Sequence, residues 1–323
     1  MRFRFSGNKA PSLSLRRAFP AERDACEKQA NMEYSNLLNE YGPADSPETV
    51  AAKVAECRAK AVANRTEEVY KMCYSCIDLT TLSCNDSESS VREFVRKAVE
   101  FRSNFPSIPD VASICIYPSF VETVGVALGE SNIGITSVSG GFPASQTFLE
   151  VKMLETAMAV ENGADEIDIV LNVGKMLSGR YDEAANEVEV LRGEVGRETV
   201  LKVIIESGAL KTPELIRKAS LLSMLAGADF VKTSTGKIDV AATPEAAVVM
   251  CTAVRDYWLR SGRKVGFKAA GGVRSAEESA LYYTIVEQIL GSEWCNPSLF
   301  RIGASSLANN LVSAIEKREV RYF

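Results

Sequence analysis

The stretch DFVKTSTGK, residues 229–237, reads as a β-strand that runs into a turn, with a lysine in its middle. Phe230 and Val231 are strand formers, and Thr233 to Gly236 lead into a loop of the size that holds a phosphate. Lysine is among the side chains most costly to bury, and a valine would pack better at position 232. The stretch makes sense only as one unit of a longer repeat. From residue 76 onward the chain repeats a short apolar or β-branched run, a turn and an amphipathic helix. The runs are CIDLTTL (76–82), SICIYP (113–118), GITSVSG (134–140), EIDIVLN (166–172), VLKVIIES (200–207), DFVKTSTG (229–236), VGFKAAGG (265–272) and LFRIGAS (299–305). Eight strands alternating with helices over about 250 residues have the size and rhythm of a (β/α)8 TIM barrel, an α/β fold. The alternative, an open doubly wound sheet, wants a Gly-rich nucleotide loop after its first strand, and LTTLSCNDSES is not one.

Helix ends support the same rhythm. Thr212-Pro213 and Thr243-Pro244 pair an N-cap residue with proline at the first helical position, and Ser275 with Glu278 has capping-box spacing. Gly163, Gly227, Gly262 and Gly291 stand where C-terminal stops are expected. In a helix opening near Ser145, Phe148, Val151, Leu154 and Met158 keep a helical apolar spacing. The barrel domain with its C-terminal tail is expected over 76–323. Residues 21–75 read as a helical extension packed on it: Ser46-Pro47-Glu48 looks like a helix start, and the core is too small for a separate domain. Residues 1–20 carry five basic groups and no acid. That composition resembles a transit peptide, but a poor amphipathic pattern favours a disordered basic arm.

Composition narrows the chemistry. With 323 residues, 46% of them hydrophobic, the chain can bury a large core. A net charge of −5 gives no reason to expect nucleic acid or an anionic membrane as partner. No apolar run approaches the roughly 20 residues that span a bilayer. The chain has no histidine, which excludes Ser-His and Cys-His nucleophile pairs and histidine-ligated zinc. Its eight cysteines are scattered. No secretory leader is legible, so reduced thiols and a cytoplasmic location are expected. Cys73 and Cys76 have CxxC spacing, but a zinc site would need two more ligands, and small buried side chains are the expected reading.

Alternate strand residues point into a barrel. In the fourth run, Ile167, Ile169 and Leu171 would face the helices, which turns Asp168 inward. Lys232 shares its face with Phe230 and Ser234; Lys268 and Lys202 are added by the seventh and fifth runs. The alternative is that the lysines snorkel from strand ends, Lys202 above all because it stands near the start of its strand. Three ammoniums and one carboxylate on four successive strands would do chemistry. A second ammonium about 6 Å away at an effective dielectric near 20 lowers a lysine pKa by about two units. Burial lowers it further. A neutral lysine attacks carbonyls to form a Schiff base. Glycine-bearing loops follow the sixth, seventh and eighth runs: Thr235-Gly236-Lys237, Gly271-Gly272-Val273-Arg274 and Gly303-Ala304-Ser305-Ser306. The last two stand where this fold usually binds phosphate.

CIYP, GFPASQT, GADEIDIVLN, LKVIIESG, DFVKTSTGK, GFKAAGG and FRIGASSL together resemble the deoxyribose-phosphate aldolases, class I aldolases with a TIM barrel, from Ile77 to Leu307 and in family order. WCNPSLFRIGASSL and AVRDYW look closest to the eukaryotic branch. The resemblance implies reversible cleavage of 2-deoxy-D-ribose 5-phosphate to glyceraldehyde 3-phosphate and acetaldehyde, with no cofactor and no metal. It makes Lys232 the Schiff-base lysine, Lys268 the neighbour that depresses its pKa, and Asp168 an acid/base group working through a water. Thr80 would line the substrate pocket and Lys202 would join the polar network around the substrate; Cys115, at the end of the second run, is expected to face the same cavity. The phosphate would fall to Gly236, Lys237, Gly271, Gly272, Arg274, Gly303, Ser305 and Ser306. Two features depart from the family pattern: Ala269 replaces the usual proline after Lys268, and the tail tyrosine, Tyr322, is penultimate. That tail is a candidate proton relay. A homodimer is one assembly the sequence leaves open. A Schiff-base aldolase for another sugar phosphate and a catalytically silent binding barrel are the competing readings.

Overall fold

The computed structural model describes residues 33–323. The basic arm expected over 1–20, and the first part of the expected extension, lie outside them. Eight parallel strands close into a barrel in sequence order: β1 (Ile77–Thr80), β2 (Ser113–Ile116), β3 (Gly134–Ser139), β4 (Glu166–Val170), β5 (Val200–Ile204), β6 (Phe230–Lys232), β7 (Gly266–Ala270) and β8 (Phe300–Ala304). The open-sheet alternative is thereby excluded. All eight runs read from the sequence are strands, but each strand ends before its run does. The residues past the end, such as Thr233–Gly236, belong to loops on the C-terminal face, where the backbone turns towards the next helix.

The caps behave as their residue types require. Thr212, Thr243 and Ser275 each accept the backbone N–H three residues on, and Ser275 with Glu278 forms a complete capping box. Outside the barrel, the helices Pro47–Ala61 and Glu67–Ser75 pack on those at Pro244–Ser261, Ala276–Leu290 and Ser306–Glu316. Leu38, Val50 and Val54 join the same hydrophobic core as the barrel strands. Among the described residues no helix is long and apolar enough to cross a membrane.

One helix departs from expectation. Its first residue is Leu149, and its apolar ridge, Phe148, Val151, Leu154 and Met158, faces outward with each side chain more than half exposed. The buried face is Lys152, Thr156 and Ala159. It is polar because it anchors the loop after β3: Lys152 Nζ donates to Ser145 Oγ at 2.7 Å and pairs with Glu187 at 2.6 Å. Thr156 and Glu155 hold Ser139 and the Gly141 N–H.

Candidate active site

A TIM-barrel interior is ordinarily filled by branched apolar side chains. Here several inward positions are ionic. Register places Asp168 beside Lys202 and Lys232 beside Lys268, with Arg301 next in turn. Lys232 and Lys268 both donate to the same oxygen, Asp168 Oδ2, each at 2.8 Å. Lys202 reaches Asp168 Oδ1 at 3.0 Å and Asp78 Oδ2 at 3.5 Å, and it also bonds Glu166. Lys268 has a second partner in Asp78. Lys202 therefore does not snorkel: it is fully buried among three carboxylates.

The network sets the protonation states. Burial alone would raise the Asp168 carboxyl, but Lys202, Lys232 and Lys268 outweigh it and hold Asp168 far below the usual carboxylate range. Burial would lower Lys268 and Lys202, yet their carboxylates push both up. Lys232 alone of the three lysines goes down. Burial is the main cause, Asp168 opposes it, and Lys268 adds to it. The Cys115 thiol lies in the same interior, beside Leu82 and Val138, and burial raises it.

Above Lys232 opens a cavity of about 480 Å³ at the C-terminal mouth of the barrel. Its wall brings together Thr80, Lys232, Gly236, Lys237, Gly271, Gly272, Arg274, Gly303, Ser305 and Ser306. Asp168, Lys202, Lys268 and Cys115 are not in the wall; they lie beneath it as the support of Lys232. The helix Ser306–Glu316 starts in the wall, so its N-terminal dipole end faces the cavity. Gly271 has φ +79°, and a Cβ there would lie 2.7 Å from that of Ala241 and 3.0 Å from Gly236 Cα. Only glycine lets these two loops come so close. Glu206 fixes the loop after β6 by accepting from the Thr235 hydroxyl, and Lys237 Nζ crosses the mouth to the Leu82 carbonyl.

Tyr322 is not brought to this cavity. Its hydroxyl accepts from Asn104, its ring packs on Phe101 and Phe105, and Asn309 Oδ1 accepts the N–H groups of Tyr322 and Phe323. Cys73 and Cys76 are buried free thiols, and burial pushes Cys73 up to about 12.

Sequence reasoning missed Asp78, Glu166, Arg301 and Glu206. The first three were within reach of the argument that found Asp168: each stands two residues before a position already singled out, namely Thr80, Asp168 and Gly303. Glu206 is in phase with Lys202 within the run 200–207, but it sits past the end of β5 with φ +54°, where alternation no longer says which way a side chain points.

A profile described as DeoC/LacD family aldolase matches residues 73–311. A Homo sapiens deoxyribose-phosphate aldolase is 41% identical over 250 residues, covering 73% of this chain and 77% of its own. The Mus musculus deoxyribose-phosphate aldolase is 42% identical with the same coverage. Among solved structures, the tetrameric deoxyribose phosphate aldolase of Aeropyrum pernix aligns with a TM-score of 0.61 at 25% identity, covering 81% of this chain and 97% of its own.

Proposed function

We propose that this chain, which belongs to the DeoC/LacD family of aldolases, reversibly cleaves 2-deoxy-D-ribose 5-phosphate to D-glyceraldehyde 3-phosphate and acetaldehyde. Neutral Lys232 adds to the C1 aldehyde of the open-chain sugar, and loss of water gives an iminium. The C2–C3 bond then breaks, its electrons moving to C2 and the iminium nitrogen as an enamine. The proton of the C3 hydroxyl leaves through a water to the Asp168 carboxylate, and C3 becomes the aldehyde of the three-carbon product. Reprotonation of C2 and hydrolysis of the iminium release acetaldehyde and restore Lys232. The phosphate rests on the backbone N–H groups of the glycine loops and the first turn of helix Ser306–Glu316, with Lys237 and Arg274 as counter-charges.

The observation that carries this reading is a buried lysine, lowered in pKa, at the floor of a cavity whose rim is made of glycine loops and basic side chains. Borohydride reduction in the presence of acetaldehyde should leave a two-carbon adduct on Lys232; with deoxyribose 5-phosphate the adduct should carry five carbons before cleavage and two after it. An adduct on Lys202 or Lys268 in its place would refute the assignment. A panel of phosphorylated acceptor aldehydes tests the competing reading, a Schiff-base aldolase for another sugar phosphate. The same reading places the protein in cytoplasmic deoxyribonucleotide breakdown.

The proposal extends to assembly. The Aeropyrum pernix relative is described as tetrameric, and the outward ridge Phe148, Val151, Leu154 and Met158 is an apolar face of the kind that closes a homodimer. Leu154→Glu should convert the particle to a monomer in light scattering. An unchanged mass would exclude this ridge as the contact.

A further inference from the structure

The reaction above needs one uncharged lysine among three, and the charges buried in the barrel decide which one. We infer that Arg301 is a positioning residue that keeps Lys232 unprotonated by occupying carboxylates that would otherwise hold a proton there. The inference rests on Lys232 being the Schiff-base lysine.

The buried ionic cluster contains three carboxylates, Asp78, Glu166 and Asp168, and four basic groups, Lys202, Lys232, Lys268 and Arg301. With every group ionised, one positive charge has no counterpart. A net charge is costly to bury, so the cluster favours the loss of one proton. Arg301 cannot release it, because a guanidinium stays charged in proteins. Lys202 touches all three carboxylates, and Lys268 touches Asp78 and Asp168. Lys232 touches one carboxylate, on the oxygen that Lys268 also uses. Lys232 is the group left over.

Arg301 is what makes the count come out this way. Its Nη1 donates to Asp78 Oδ1 at 2.5 Å and to Glu166 Oε2 at 3.1 Å, and its Nη2 donates to Glu166 Oε1 at 2.6 Å. Its Nε is held by the Pro297 carbonyl, and its guanidinium stands 5.8 Å from the centre of the Phe230 ring. It lines no part of the mouth cavity. The remaining surroundings of Lys232 do not upset the balance. β2 supplies the Cys115 thiol, which burial keeps protonated, and β3 supplies the uncharged Thr136. At the mouth, the Glu206 carboxylate is turned to the N–H and hydroxyl of Thr235 and not to Lys232, and Lys237 and Arg274 are exposed, so solvent screens their charges.

The test is the pH dependence of Lys232 in four variants, read as the rate of borohydride-trapped acetaldehyde adduct. Arg301→Met leaves three carboxylates against three lysines, so Lys232 keeps its proton. The midpoint of adduct formation should rise by about one pH unit or more, and the rate at pH 7 should fall about tenfold. Arg301→Lys keeps the charge and should leave the midpoint near its original value. Arg301→Met with Glu166→Gln restores the surplus cation and should bring the midpoint back. Glu166→Gln alone adds to the surplus and should lower it, which keeps the inference testable if Arg301→Met fails to fold. A purely structural role for Arg301 predicts the reverse order: the double variant, having lost more buried partners, would be worse than the single one at every pH. An unmoved midpoint in Arg301→Met, or no recovery in the double variant, overturns the inference. The Lys232 titration is also read by NMR after reductive 13C-methylation, which needs no substrate. Absence of an acetaldehyde adduct on Lys232 in the unmodified chain would thus refute the functional reading, while the methyl-lysine titration would still support or overturn the role of Arg301.

Discussion

Replacing Lys268 by leucine tests how the site produces a nucleophile at neutral pH. Lys232 and Lys268 each lie 2.8 Å from Asp168 Oδ2, so their nitrogens are no more than twice that distance apart. At about 5 Å and an effective dielectric near 20, Coulomb's law gives roughly 3 kcal/mol of repulsion, or about two pKa units. Lys268 is pushed up by Asp168 and Asp78 and stays charged, so this repulsion is always present. Leucine adds no charge and retains the effect of burial, the larger cause of the lowered Lys232 value. It removes the neighbouring charge and leaves Asp168 free to favour the protonated lysine. The neutral fraction of a lysine changes tenfold per pH unit below its pKa, so adduct formation at pH 7 should slow by about a hundredfold. The loss should then be recovered as the pH is raised towards the ordinary lysine range. The assay is quenched-flow borohydride trapping of the acetaldehyde adduct, with peptide mass analysis, across neutral to alkaline pH. A variant slower by one constant factor at every pH would refute the electrostatic role and point to lost geometry.

Three further outcomes are expected. A Cβ at Gly266 would overlap three atoms of the Phe230 ring, so Gly266→Ala should destabilise the fold by about 1–3 kcal/mol through overpacking; an unchanged thermal midpoint would show that the ring moves freely. Asp78, Glu166 and Asp168 all have depressed carboxyl pKa values, since the neighbouring cations outweigh burial. Their contribution to stability is complete above the unfolded value, about 4, and is lost as pH falls from there towards the folded values; thermal midpoints measured from about pH 6 down to about pH 2 should drop on the acid side, and a flat profile would contradict the ion network. Deleting Val320–Phe323 uncovers Phe101 and Phe105 and should lower the thermal midpoint. A fall in kcat, with slowed deuterium exchange at the acetaldehyde methyl and intact trapping on Lys232, would mean that the tail leaves its groove to relay the proton; unchanged exchange would leave that proton to Asp168.

What was legible in the sequence was what the chain determines locally. Strand runs, caps and stop glycines depend on a few neighbouring residues, so β1 to β8 and the Thr212, Thr243 and Ser275 caps could be read directly. Alternation along a strand is also local, because successive Cβ atoms point to opposite faces. It therefore turns Asp168, Lys202, Lys232 and Lys268 inward by residue order alone. Closure of the barrel is not local. Arg301 meets Asp78 across 223 positions of sequence and Glu166 across 135, and only the register of β8 against β1 and β7 decides that these side chains share one interior. The ridge at Phe148–Met158 illustrates the same limit from outside. Helical spacing says that four apolar residues lie on one face; what that face meets depends on how the helix is anchored, and here the buried Lys152, paired with Glu187 and Ser145, turns the ridge to the surface. The tail obeys the same rule: Tyr322 was visible as a residue type, but its place against Phe101 and Phe105 is set by a helix more than 200 residues earlier in the chain.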